Sequence, residues 1–299
     1  VEVPQESSKT RSHRWSQQTP AGILYESLGD LYLKNGSKLK NLTESDDHET
    51  SPFYDPKSRK IYYASWNDRD MGSVFQMDLT GNKKKKITTV PSQYGSLTVT
   101  GDGALYYIRG RGSLINGQRL EKQTDFELVS NIDGKETKLS TINWSGNRYA
   151  KRPPVIHVAG NGNIYYSDYV NDVLTIKSIS DEGLNEKEII RFPHATRAVI
   201  SPDMQWVAFR EYHRSYVTPF EFAGKTYSVS AEDGLGFSQR VDSQNDGDFM
   251  RWSQDSKRLL WTRGKYHYEK SLNAILDKKS KVTKTDLSIS YEVDNPGSV

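Results

Sequence analysis

The side chains able to do chemistry in this 299-residue chain do not fall into any catalytic spacing. Its six histidines, His13, His48, His157, His194, His213 and His267, never occur as His-x-His, as His-x-x-x-His or within the HExxH helix signature. Two imidazoles are therefore nowhere spaced to close on one zinc ion. There is no cysteine, which excludes thiolate metal sites and disulfide staples and fits either the cytosol or an oxidising compartment. His48, beside Asp46, Asp47 and Glu49, could chelate weakly, but such a run reads more simply as a solvated acidic turn. Neither a Gly-x-Ser-x-Gly elbow nor a P-loop occurs, and Gly110-Arg111-Gly112 lacks the strand-to-helix context of a phosphate loop. We expect no catalytic residue, no metal site and no cofactor on this chain.

What remains is a set of charged and aromatic residues that share one position. An aliphatic residue followed two places later by an aromatic recurs six times, each time after a turn. The copies are Ile23-Leu24-Tyr25, Ile61-Tyr62-Tyr63, Leu105-Tyr106-Tyr107, Ile164-Tyr165-Tyr166, Val207-Ala208-Phe209 and Leu259-Leu260-Trp261. Behind the aromatic come Arg109, Asp168, Arg210-Glu211 and Arg263, with Trp66, Asp68 and Arg111 close by. If the copies superpose, these residues gather on one rim as a polar collar. Such a collar could recognise a ligand; equally, its opposite signs, Arg109 beside Asp168 and Glu211 beside Arg263, could close ion pairs between units. Trp66, Tyr94 and Tyr169 have two matching readings, as binding anchors or as wedges between units. The candidate binding residues are Trp66, Asp68, Arg109, Arg111, Asp168, Arg210, Glu211 and Arg263.

The elements that would position this collar follow from the repeat. Residues i and i+2 of a strand point to one face, so each copy is a strand presenting an aliphatic and an aromatic side chain to a common side. The copies recur at intervals of about 40 to 60 residues, near the spacing of four-stranded propeller blades. Each unit holds four strand-like segments, and Asn35-Gly36 and Asp133-Gly134 have the chemistry of tight type I′ hairpins. The expected architecture is all-β: one six-bladed β-propeller over residues 1–299 with four-stranded antiparallel blades. The blades fall at about 12–43, 50–90, 96–142, 153–192, 197–230 and 247–290. The fifth is expected to end on a strand at Lys225–Ser230. Arg14-Trp15-Ser16-Gln17 echoes Arg251-Trp252-Ser253-Gln254, which gives the first unit an inner strand of its own. If that holds, packing between units one and six closes the ring; if Lys281–Ser290 pairs across the seam, hydrogen bonds do. Gly110–Asp125 and Ala231–Asp246 are long polar connections, a length at which loops are often functional or are tolerated surface insertions.

Composition narrows the partners. With 41 Lys+Arg against 38 Asp+Glu the formal net charge is only +3, so no global field attracts nucleic acid or an anionic membrane. The run Lys83–Lys86 falls on an outermost strand, where lysines keep an exposed edge from pairing with other chains. No apolar run approaches the roughly 18 residues needed to span a bilayer, so membrane insertion is not expected. The Ser- and Gln-rich start suits a mature N-terminus after export.

Ser201-Pro202-Asp203 followed by Trp206–Glu211 resembles the SPDG-x-W-[IV]-A-[FY] repeat of TolB-type propellers. Ala64–Asp68 with Met71-Gly72, Tyr106–Gly112 and Arg251–Gly264 resemble the propeller half of exported bacterial amidohydrolases, a likeness running from about Ile23 to Val293. Only the fifth unit keeps Ser-Pro-Asp, the others preserving turn chemistry through Gly, Asn and Asp. The resemblance implies a periplasmic or secreted, non-catalytic module that docks on or gates a hydrolase domain in cis, any metal lying in that domain. The alternatives are a free-standing periplasmic propeller that binds a protein or peptide, and the gating propeller of a serine peptidase.

Overall fold

Six sheets built on four antiparallel strands, each begun by one inner strand, and a two-stranded sheet of the chain ends make up the structure, a computed structural model that describes residues 5–110, 124–144, 153–158, 162–221, 224–231, 238–242 and 244–294. The inner strands are Arg14–Thr19, His48–Asp55, Gln93–Val99, Ile156–Val158, Ala195–Ile200 and Asp248–Trp252. Residues from all six line a single cavity, so these strands surround the axis of a six-bladed β-propeller. The second strand of every blade carries the aliphatic-x-aromatic repeat. Its shared face packs back on the preceding blade: Ile61 and Tyr63 join Leu24, Leu31 and Leu42 of blade one, and Leu105 and Tyr107 join Tyr62, Ala64 and Val74 of blade two. The middle residue of each repeat faces the other way, and this alternation is what lets a thin sheet bury both faces.

The inner strands share an irregularity that the repeat aromatics explain. In blades one, two, three and six the ladder slips so that two inner-strand residues oppose one aromatic: Tyr25, Tyr63, Tyr107 or Trp261. The first residue of each bulge, Trp15, Ser51, Ser96 or Phe249, has φ between 49° and 54°, in the left-handed region that costs a side-chain-bearing residue about 1–2 kcal/mol. The bulge gives the large ring opposite it room within the ladder. In blade four Tyr166 pairs directly with Ile156, and in blade five the slip falls one step earlier, between Ala195 and Arg197.

The hairpins follow their chemistry with one shift. Asp133 and Gly134 both have positive φ, as a type I′ turn requires. The hairpin at Asn35-Gly36 instead turns over Gly36-Ser37, because Asn35 is still paired with Lys38, and only Gly36 has positive φ.

The expected end of blade five is corrected. Its outer strand is Gln239–Arg240, paired with Tyr216 and Val217, so this strand lies within the connection Ala231–Asp246. Tyr227–Ser228, from the expected strand Lys225–Ser230, pairs in parallel with Ile190 and Arg191 at the open edge of blade four. The alternation Tyr227, Val229 is a sound strand signal, and both side chains pack against the large apolar cluster that blade four shares with its neighbours. What the alternation does not specify is which edge receives it. The lysine run meets its expectation, since Lys85–Lys86 is the exposed outer strand of blade two.

The ring closes by packing and by hydrogen bonds, but the cross-seam strand is Ser290–Asp294 and not the expected Lys281–Ser290, whose strand Thr283–Asp286 pairs within blade six. Blade one owns Arg14–Thr19 and blade six owns its outer strand Thr283–Asp286, so the seam between them is packed. Beyond the sixth blade, Ser290–Asp294 pairs antiparallel with Gln5–Lys9, and Thr10 N–H donates to the Ile289 carbonyl at 3.0 Å. Leu287 and Ile289 cover Ile23, Tyr25 and Tyr32 of blade one, and the Tyr25 hydroxyl donates to the Leu287 carbonyl at 3.0 Å.

Candidate functional site

Strand direction places the predicted collar at one end of the ring. Trp66 pairs with His48, Arg109 with Tyr94 and Glu211 with Ala195, so these residues lie beside the starts of the inner strands. There the charged groups have partners, some of opposite charge and some neutral. Arg109 reaches Glu127 at 2.8 Å and Glu136 at 2.6 Å, both in its own blade rather than at Asp168. Asp168 holds Lys177 at 2.7 Å and accepts the Asn143 N–H at 2.7 Å. Burial raises the Asp168 carboxyl above the usual range despite that lysine. Arg210 crosses from blade five to Asp248 of blade six at 3.0 Å. Glu211 accepts from the Ser230 hydroxyl and the Ala231 N–H, both at 3.1 Å, and Arg263 donates to the Gln244 carbonyl. Arg111 lies outside the described residues.

The collar aromatics are wedges by position. Trp66, Tyr94 and Tyr169 are buried, and the Trp66 indole donates to Asp68 at 2.9 Å. Tyr94 packs edge-on against Tyr107, and Tyr169 lies 4.7 Å from Trp144. The same end carries exposed apolar side chains on the turns after the second strands, Leu28 at 56% and Tyr212 at 60% exposure. Beside them, Glu49 is buried near Asp30 and Asp47; burial, with those neighbouring charges, pushes its carboxyl up to about 7. Among the described residues no group of three His, Cys, Asp or Glu could hold a metal ion, His48 and its acidic neighbours included.

One hydrogen-bonded constellation has the composition of a nucleophilic triad. The Ser16 hydroxyl lies 2.8 Å from His267 Nδ1, and His267 Nε2 lies 3.1 Å from Glu269. Ser16 and His267 are both 0% exposed, so no substrate atom can reach the hydroxyl. The chain runs across the seam between blades one and six, and Gln18 also donates to Glu269. It staples the ring shut. Spacing in the sequence could not reveal it, since 251 residues separate Ser16 from His267.

The cavity on the axis is different in character. It has a volume of about 230 Å³ and is walled by the inner strands, with Arg197 paired to Arg210 of the collar. Trp15, Trp252, Met250 and valines supply apolar surface, while Gln17, Gln254 and His157 supply polar groups. Two arginines line it, Arg197 and Arg251, and none of its described lining residues is acidic. The Arg197 guanidinium sits 5.1 Å from the Trp15 ring centroid, a cation–π contact. Arg251 donates to Gln17 Oε1 at 2.8 Å and to the Pro52 carbonyl at 3.4 Å. Burial, and after it the charge of Arg197, hold Arg251 down to about 10. Burial likewise pushes His157 down to about 4, and its Nε2 has no hydrogen-bond partner.

Neither arginine was among the residues the sequence singled out. The echo between Arg14–Gln17 and Arg251–Gln254 did touch the site, but its register misleads. Gln17 pairs with Leu24 and Arg251 with Leu260, the middle residues of two repeat copies, so Arg251 occupies the place of Gln17. The offset arises because blade one's first hairpin turns between Thr19 and Gly22, whereas blade six needs the longer stretch between Trp252 and Leu259.

Comparison with known proteins supports the architecture. No protein-family model matches the chain, and no curated protein matches it. Among solved structures it resembles TolB from Acinetobacter baumannii at 13% identity, covering 87% of this chain and 60% of that one, with a TM-score of 0.57. A chain from a nidogen/laminin complex aligns at 12% identity over 95% of this chain and 97% of its own, TM-score 0.58. A gluconolactonase from Xanthomonas campestris aligns at 12% identity over 85% and 84%, TM-score 0.59. At such identities the likeness establishes the fold: a six-bladed β-propeller with TolB among its structural neighbours.

Proposed function

We propose that this propeller is a non-catalytic module of an exported hydrolase, docking on or gating a catalytic domain through the collar end of the ring. The observation that carries the reading is the pairing at that end. Charges that could act on a substrate are tied up in ion pairs and hydrogen bonds, while Leu28 and Tyr212 stand exposed on the turns between them. A satisfied polar rim with apolar anchors is the anatomy of a docking face rather than of a reaction centre. The hydroxyls held by a histidine among the described residues, Ser16 by His267 and Thr10 by His13, are both buried. Export rests on the likeness to TolB propellers, and no helix among the described residues is long and apolar enough to cross a membrane.

In this reading the chain needs no cofactor, and a metal belongs to the hydrolase domain. A free-standing propeller that binds a protein or peptide is the second reading, favoured by the near-complete overlap with a chain from a nidogen/laminin complex. Two experiments test these. The purified chain should hydrolyse neither nitrophenyl esters nor nitroanilides with or without added zinc or manganese; metal-stimulated turnover contradicts both readings. A His-x-His strand encoded next in the gene supports the module, a stop codon the free-standing binder, and a Gly-x-Ser-x-Gly elbow a peptidase propeller.

A further inference from the structure

We propose that the axial cavity is a binding site for a small carboxylate with an apolar body, its carboxylate seated on Arg251 beside Arg197. The proposal goes beyond the docking role and does not depend on it, since it uses none of the collar residues.

Three observations carry it. First, the hydrogen bonds of Arg251 go to neutral acceptors, the Gln17 amide oxygen and the Pro52 carbonyl. A guanidinium held inside a protein ordinarily faces a carboxylate, because a neutral acceptor replaces only part of the hydration it has lost. Second, a second guanidinium, Arg197, lines the same cavity, and among the described lining residues none is acidic. Two like charges in one enclosed space of low polarity raise each other's cost, as the depression of Arg251 by Arg197 registers. An anion entering the cavity offsets that cost at Arg251. Third, His157 brings an unpaired Nε2 to the same wall, and its depressed pKa keeps the ring neutral near pH 7. Its Nε2 can then carry the proton and donate it to an anion.

Shape and surface narrow the ligand. A volume of about 230 Å³ corresponds to roughly eight waters at about 30 Å³ each. That room suits an acid of similar heavy-atom count rather than a polymer. Trp15, Trp252 and Met250 line the remainder, so an aliphatic or aromatic body gains burial where a bare inorganic ion would gain none. A planar guanidinium offers paired N–H donors to a carboxylate, which adds direction to charge.

Hexanoate is a suitable probe. Titrated into the whole protein at constant ionic strength, it should saturate a change in tryptophan fluorescence, since Trp15 and Trp252 line the cavity, and should raise the melting temperature by mass action. 1-Hexanol, which keeps the apolar body and lacks the charge, should bind at least about tenfold more weakly. Arg251→Met should weaken hexanoate about tenfold or more, Arg251→Lys should weaken it less, and Arg191→Ala on an outer strand should leave it unchanged. Chloride or acetate competing as well as hexanoate would refute the apolar body. Equal binding of hexanol, undiminished binding by Arg251→Met, or no saturation by about 20 mM hexanoate would overturn the site. If Arg251→Met fails to fold, the hexanol comparison and Arg251→Lys still decide it.

Discussion

At the collar, Arg109, Asp168 and Arg210 each have an oppositely charged partner within 3.0 Å, whereas on the axis Arg251 has an amide and a carbonyl. Those three collar charges face a group of opposite sign, whereas Arg251 lies on a wall with no acid among its described residues. Charge density was the feature that drew attention in the sequence. The structure teaches that the informative quantity is the charge left over after neighbours are counted, because a neutralised cluster is mostly scaffold and an uncompensated buried cation is a request for a ligand.

The largest effect that would sharpen this comparison comes from opening the ring. Removing residues from Thr283 onward takes away blade six's outer strand and the pairing of Ser290–Asp294 with Gln5–Lys9. The axis exists only in a closed ring, while most collar pairs lie within single blades. The truncated chain should lose its cooperative melting transition; an unchanged transition would show that the seam carries no load. Next comes Trp252→Ala. Its indole donates to the Val199 carbonyl at 3.0 Å across the blade five to six boundary, and truncating it should cost about 3–5 kcal/mol in denaturant unfolding.

The two regions should also respond to pH with opposite signs. Glu49, near the collar, has a folded pKa of about 7 against an ordinary 4.5, so the folded state holds more protons between those values. Stability from this group falls as pH rises through that window, by at most about 1.4 kcal/mol per unit. His157 on the axis has a folded pKa of about 4 against 6.5, so the unfolded state holds more protons there. Its contribution is lost as pH falls from about 6.5 to about 4, with a slope of the same limiting size and opposite sign. Glu49→Gln should reduce the first trend and His157→Gln the second, read as unfolding free energy at half-unit pH steps. Part of the second persists through His13, which burial also holds down to about 4. The smallest effect belongs to Tyr212→Ser, whose exposed ring should change stability by under about 0.5 kcal/mol while weakening any collar-end partner.

The blades were legible because their signal is local. An aliphatic and an aromatic two positions apart commit a strand to one face, and Ile61 with Tyr63 pack where that alternation sends them. Turn chemistry was nearly as readable, with a one-residue shift at Gly36. Edges were not: Tyr227 and Val229 alternate correctly yet extend blade four, since alternation specifies a face and not a neighbour. The collar residues were found as a group, and their partners were missed, because Glu127 and Lys177 are set by cross-strand register. The axis was least visible. Gln17 meets Arg251 across 234 residues of chain, and only closure of the ring brings them together.

The central claim is that Asp168 at the collar is compensated by a cation while Arg251 on the axis is held by neutral acceptors, and paired removal of one cation from each region tests it most directly. Lys177→Met strands the buried Asp168 carboxylate and should cost about 3 kcal/mol in urea unfolding at pH 7. Arg251→Met, which removes a cation with no carboxylate beside it, should change stability by less than about 1 kcal/mol or increase it. A loss at Arg251 as large as that at Lys177 would contradict the account.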